Sequence, residues 1–231
     1  MIRSHESDTI SSRIAAIREQ IPASVRLIAV TKQVSVDAMR EAYAAGVRDF
    51  GESRVQEAAA KQSQLLDLPD ITWHLIGHLQ SNKVKKALEL FQWIHSIDSL
   101  KLAQQCDAIA SQMSLSPQVC LQVKLLPDPN KYGFSLAELP DALPQLDRCQ
   151  HLQIQGLMTI PPLDLNRAEI AALFAQTRQL AQEIQQQNWS RIDLQHLSMG
   201  MSDDYEQAIA QGATMIRLGS ILFGERPITR G

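Results

Sequence analysis

Eight short apolar segments recur along the chain, and nearly every one is followed by a stretch with helical apolar spacing. The segments are 25–32, 48–52, 72–79, 93–98, 118–125, 153–160, 193–199 and 214–220. Amphipathic stretches lie between them at 36–45, 55–65, 82–90, 100–113, 136–143, 166–187 and 203–211. In the longest, Ile170, Leu173, Phe174, Thr177, Leu180, Ala181 and Ile184 share one helical face, with Arg and Gln opposite. Ser35, Ser99 and Asp203 stand where N-caps belong, and Gly46 and Gly212 where helices should stop. Strand–helix repetition without hairpin signals calls for a parallel sheet, because parallel neighbours need a crossover. Eight strands predict closure into a (β/α)8 TIM barrel. The alternative is an open doubly wound sheet, against which counts the missing Gly-x-Gly-x-x-Gly turn after the first strand. A further amphipathic segment, 10–21, predicts an extra N-terminal helix. The expected organisation is one domain over 1–231: an extension and helix to residue 24, the barrel from 25 to 220, and a tail from 221.

A chain of 231 residues with 45% hydrophobic content can bury one large core. No apolar run approaches the roughly 18 residues of a membrane span. The start, Met1 to Asp8, is polar and mixed in charge, unlike a secretory signal. A net charge of −3 argues against a nucleic-acid binder, which carries a basic face. Cys106, Cys120 and Cys149 are odd in number and far apart, with no Cys-x-x-Cys pair, which predicts a reduced, cytoplasmic protein. Cys120, in an apolar strand pattern, reads as a small core residue. No oligomer interface is evident, so a monomer is the expectation.

Ligands of such barrels bind at the carboxyl ends of the strands. Those ends are chemically loaded here. Lys32 closes the first, and its amine could lose hydration, lower its pKa and attack a carbonyl; the alternative is a solvated lysine in a strand-to-helix loop. Glu52-Ser53 closes the second, His78 the third, Ser96 and Asp98 the fourth, and Met158-Thr159 the sixth. Leu197-Ser198-Met199-Gly200-Met201-Ser202 and Ile216-Arg217-Leu218-Gly219-Ser220 close the seventh and eighth, where this fold commonly holds phosphate. Ser198, Gly200, Ser202, Gly219 and Ser220 offer hydroxyls and unhindered amides; the other reading is two plain Gly/Ser turns. Asp203 and Asp204 oppose an anion unless they point away. Arg217 either points outward between helices or meets a ligand in the lumen. His74 and His78 are no metal pair, since four strand residues span about 13 Å. Trp73 and Trp93 are expected between barrel and helices. Ser198, His196 and Asp193 form no triad, because Asp193 breaks the period of two.

Together these residues resemble the YggS/PROSC family of pyridoxal 5′-phosphate (PLP)-binding proteins, also called PLP homeostasis proteins. The resemblance covers nearly the whole chain. Its landmarks are Ala29-Val30-Thr31-Lys32, Asp49-Phe50-Gly51-Glu52 with Val55-Gln56-Glu57, Trp73-His74-Leu75-Ile76-Gly77-His78-Leu79-Gln80-Ser81-Asn82-Lys83 and His95-Ser96-Ile97-Asp98. They continue with Lys131-Tyr132-Gly133-Phe134, Gly156-Leu157-Met158-Thr159-Ile160, Leu197 through Asp204, and Ile216-Arg217-Leu218-Gly219.

The resemblance implies a barrel like the N-terminal domain of alanine racemase, with PLP held as an internal aldimine on Lys32. It implies Arg217 at the pyridine nitrogen, Ser198, Gly219 and Ser220 at the phosphate, and Met158 and Met201 near the cofactor. Two departures stand out: Ser53 where many relatives carry Asn, and Val34 where some carry a second lysine. Arginine at the ring nitrogen weakens the ring as an electron sink. A racemase would need a second acid/base, supplied in alanine racemases with the help of a second domain for which this chain leaves no room. The expected function is therefore a non-catalytic one in PLP homeostasis: buffering PLP and delivering it to PLP-dependent apoenzymes. The alternatives are a weakly active PLP enzyme such as an amino-acid racemase, or a Schiff-base aldolase or phosphosugar isomerase.

Overall fold

Buried apolar runs and amphipathic stretches alternate, so every strand must be covered by helix on one side and by other strands' side chains on the other. The computed structural model describes residues 8–127 and 131–224. The reading of the chain start lies almost wholly outside the described residues, as does most of the expected tail. The strands are β1 (Arg26–Val30), β2 (Asp49–Glu52), β3 (Thr72–Leu75), β4 (Trp93–Ile97), β5 (Gln118–Lys124), β6 (Phe134–Ser135), β7 (Gln153–Met158), β8 (Ile192–Ser198) and β9 (Met215–Leu218). All pair in parallel, and β4 pairs with β5, so the order β4-β3-β2-β1-β9-β8-β7-β5 closes on itself. The result is an eight-stranded barrel, with the two-residue β6 attached outside it to β5. The open sheet is thereby excluded.

The helices are α1 (Ile10–Gln20), α2 (Val36–Ala44), α3 (Val55–Gln62), α4 (Val84–Leu90), α5 (Leu100–Met113), α6 (Glu138–Leu146), α7 (Arg167–Gln185), α8 (Tyr205–Ala210) and α9 (Ser220–Phe223). Ser35 and Ser99 cap α2 and α5 through their side chains, and Gly46 and Gly212 take φ of +88° and +96° beyond helix ends. Asp203 is no cap: Asp204 precedes α8, and its carboxylate turns back to accept from the Met201 amide at 2.6 Å. The stretch expected to stop before Pro144 runs on to Leu146, because Leu139, Ala142, Leu143 and Leu146 make one buried face that outweighs a lost backbone bond. β6 and α9 had no periodic signal at two and four residues.

Most of the core lies between barrel and helices. A smaller cluster fills the lumen: Ile28, Trp93, Cys120, Met158 and Met215. Cys120 is the small core residue expected, and burial pushes its thiol up to about 12. Trp73 packs in the outer layer beside Phe50. Trp93 does not; it is inside the barrel, a correction that follows from its sharing a face of β4 with His95.

Candidate functional site

The carboxyl ends of β1, β8 and β9 surround a cavity of about 750 Å³, within the range of small-molecule sites. Lys32, Met201, Arg217, Gly219 and Ser220 line it, as do Ser53, Ser202 and Asp203. Val30, Ile76, Gly77 and Ile160 complete the wall; all four fall in the landmark segments, though none was singled out as a site residue.

Lys32 sits two residues past β1 in a turn closed by the Val34 amide on Thr31 O at 2.9 Å. The turn needs Gln33 at φ +60°, a conformation costly without a Gly, and the Gln33 amide is held by Glu57 Oε1 at 2.5 Å. Behind it, Lys61 of α3 spends its three donors on Thr31 O (2.6 Å), Glu52 Oε1 (2.7 Å) and Glu57 Oε1 (2.6 Å). Glu52 is fully buried and also accepts from Thr31 Oγ1 at 2.6 Å; burial raises its pKa against the pull of Lys61. This ionic brace was not foreseen beyond Glu52 as a strand end. Lys32 itself is exposed, at the cavity wall.

Arg217 faces the lumen and is 4% exposed, which removes the outward alternative. Its Nη1 donates to Ser198 O at 2.6 Å and Ser198 Oγ at 2.7 Å, and its Nη2 to Thr159 O at 3.0 Å. Of five N–H groups, one on Nη2 and that on Nε remain uncommitted among the described residues. Burial pushes the guanidinium down to about 10, so it stays cationic near neutrality.

Three expected site residues are not in the cavity wall. Ser198 is fully buried behind Arg217, its hydroxyl shared with His95 Nδ1 at 2.8 Å. Met158, 1% exposed, packs in the lumen. Gly200 takes φ +95° and faces α8, where a Cβ would fall 2.7 Å from that of Ala208. Of the two acids beside the loops, Asp204 points away as above and Asp203 stays at the cavity edge, exposed. His78 lies past the end of β3, bonded to Asp98 Oδ2 at 2.9 Å and stacked on Tyr132. Ser96 stands within β4, not at its end. Lys131 donates to Ile160 O and Pro161 O, tying the loop after β5 to that after β7. Ser198 pairs with His95 rather than His196, a partnership between strands that local spacing could not reveal. Among the described residues no helix is long and apolar enough to cross a membrane.

A family model for the alanine racemase N-terminal domain matches residues 6–227. A pyridoxal phosphate homeostasis protein of Synechocystis is 50% identical over 220 residues, covering 95% of this chain and 99% of the relative. A solved structure of PipY from Synechococcus elongatus with PLP bound is 57% identical with a TM-score of 0.90, covering 94% of this chain and all of that one. An alanine racemase of Clostridium difficile superposes with a TM-score of 0.74 at 15% identity, and this chain spans 61% of it; that likeness is one of fold. The chain therefore belongs to the pyridoxal phosphate homeostasis protein family, built on the barrel of the alanine racemase N-terminal domain.

Proposed function

We propose that the cavity binds PLP, with Lys32 as the point of covalent attachment, and that the whole chain serves as one non-catalytic PLP-carrier domain. The observation that carries this reading is the convergence of Lys32, Arg217 and the Gly219–Ser220 turn in one cavity wall. An amine, a cationic donor and two Ser/Gly loops are the donor set a phosphorylated pyridine aldehyde requires. The names of the relatives and the PLP in PipY support it.

When bound, PLP supplies an aldehyde with which a primary amine condenses, releasing water. The braced turn presents the Lys32 amine to the cavity. Ser202, Gly219 and Ser220 offer hydroxyls and amides to the phosphate, and Met201 adds apolar wall. Arg217 would offer its uncommitted N–H groups to the ring nitrogen; as a cation with no proton to lend at neutral pH, it would leave that nitrogen unprotonated. An arginine in that place would make the bound ring a poor electron sink, which favours holding and releasing PLP over amino-acid chemistry. Ser198 acts through Arg217, while Met158 and Gly200 shape the loops from behind. In this reading the protein works in the cytoplasm as a monomer and passes PLP to apoenzymes.

Borohydride reduction of PLP-loaded protein followed by peptide mapping should place the label on Lys32, and Lys32→Ala should lose the visible band of bound PLP. A label on another lysine, or none, refutes the attachment. Incubation with amino acids in deuterated water should leave their α-protons unexchanged; rapid exchange would establish an enzyme instead.

A further inference from the structure

The barrel lumen holds a run of polar side chains for which cofactor attachment has no use. Arg217 Nη1 lies 2.7 Å from Ser198 Oγ, which lies 2.8 Å from His95 Nδ1. His95 Nε2 is 2.9 Å from His74 Nδ1, and His74 Nε2 is 2.9 Å from Asp49 Oδ1. The five residues come from β9, β8, β4, β3 and β2. Ser198, His95 and His74 are fully buried. Asp49 is the first residue of β2, at the rim opposite the cavity, with Arg26 Nε at 3.7 Å. Trp93 stacks on His74 at 6.0 Å between ring centroids and belongs to the apolar lumen cluster.

The two ends set every proton between them. A guanidinium only donates, and a carboxylate only accepts. Ser198 Oγ takes the Nη1 hydrogen and gives its own to His95 Nδ1. His95 therefore carries its hydrogen on Nε2 and gives it to His74 Nδ1. His74 then donates from Nε2 to Asp49. No link has two donors or two acceptors facing each other. Burial pushes both imidazoles below their ordinary pKa, which keeps them neutral as this pattern needs. A barrel that needed only filling would use apolar side chains here, since buried polar runs are costly when any member is unpaired.

We propose that Ser198, His95, His74 and Asp49 form a one-directional hydrogen-bond relay that positions Arg217 for the ring nitrogen of bound PLP. The proposal rests on the PLP reading above. His95, His74 and Asp49 are positioning residues, since none of them lines the cavity.

The first test needs no cofactor: nitrogen-15 NMR of the full chain near neutral pH should find His74 and His95 both neutral with the hydrogen on Nε2. An Nδ1–H tautomer or an imidazolium at either ring overturns the relay. The second test uses PLP itself. His95→Leu removes the acceptor of Ser198 and should weaken PLP binding roughly tenfold and shift its visible band, in line with one misdirected charged hydrogen bond. His95→Asn, whose amide oxygen can still accept from Ser198, should restore most of the band and affinity. If the Leu variant matches wild type, or Asn and Leu fail equally, His95 does not position Arg217. Wild type that binds no PLP while showing the expected tautomers would sink the cofactor reading and leave the relay standing.

Discussion

Lys61→Met is expected to cost about 3–5 kcal/mol of folding stability, the usual penalty for orphaning a buried charge. Methionine fills the space but leaves Glu52, fully buried, with Thr31 Oγ1 as its remaining donor. Glu52 Oε2 already lacks a partner among the described residues. Glu57, whose side chain is 25% exposed, can turn to water; Glu52 cannot. The loss should depend on pH with a definite sign. Burial already holds Glu52 above its unfolded value of 4.5, and removing Lys61 raises it further. The cost is full above the folded pKa and shrinks as pH falls toward 4.5, because the fold then binds a proton that the unfolded chain does not. Urea unfolding should show a smaller gap to wild type at about pH 5 than at about pH 8. Adding Glu52→Gln should recover part of the loss, the orphaned charge being gone. PLP binding should weaken as well, since the same brace holds the turn that carries Lys32. A gap under about 1 kcal/mol at the higher pH would mean that Glu52 is protonated in the native protein and the brace is not ionic.

The strands and helices were legible because a period of two and a period of 3.6 survive in buried segments. Lys32, Gly219 and Ser220 were legible for a topological reason: a barrel gathers strand ends at one mouth, so residues there meet whatever their distance in sequence. What period cannot say is which parity faces inward when both faces of a strand are buried. Trp93 was assigned to the wrong layer for that reason, and the direction of Arg217 stayed open. Once Met215 is known to face the lumen, Arg217 follows by parity, as His95 follows from Trp93. The bond between Ser198 and His95 joins residues 103 positions apart, so no local pattern announces it. Asp203 failed as a cap because a loop decided the matter: the amide of Met201 claimed the Asp204 carboxylate, and α8 began one residue later than composition suggested.

Arg217→Met should separate stability from function. A large buried side chain normally loses a few kcal/mol when altered, but this one carries a charge that burial disfavours. Its pKa drops from 12.5 to about 10. At 1.36 kcal/mol per pK unit that corresponds to roughly 3 kcal/mol spent on keeping the cation inside. Methionine removes that cost at every pH below the folded value, where the native residue is charged. Against it stands Thr159 O, which loses the Nη2 donor and incurs about 1–3 kcal/mol if left bare. Ser198 is spared, because its carbonyl keeps the Thr159 amide and its hydroxyl keeps His95. The balance predicts an unloaded variant as stable as wild type or up to about 2 kcal/mol more so. PLP affinity should fall about ten- to hundredfold with the charged donor gone. Urea unfolding of the unloaded proteins and spectrophotometric PLP titration measure the two sides separately. A variant destabilised by more than about 2 kcal/mol would show that Arg217 is retained to hold the barrel together rather than to meet a ligand.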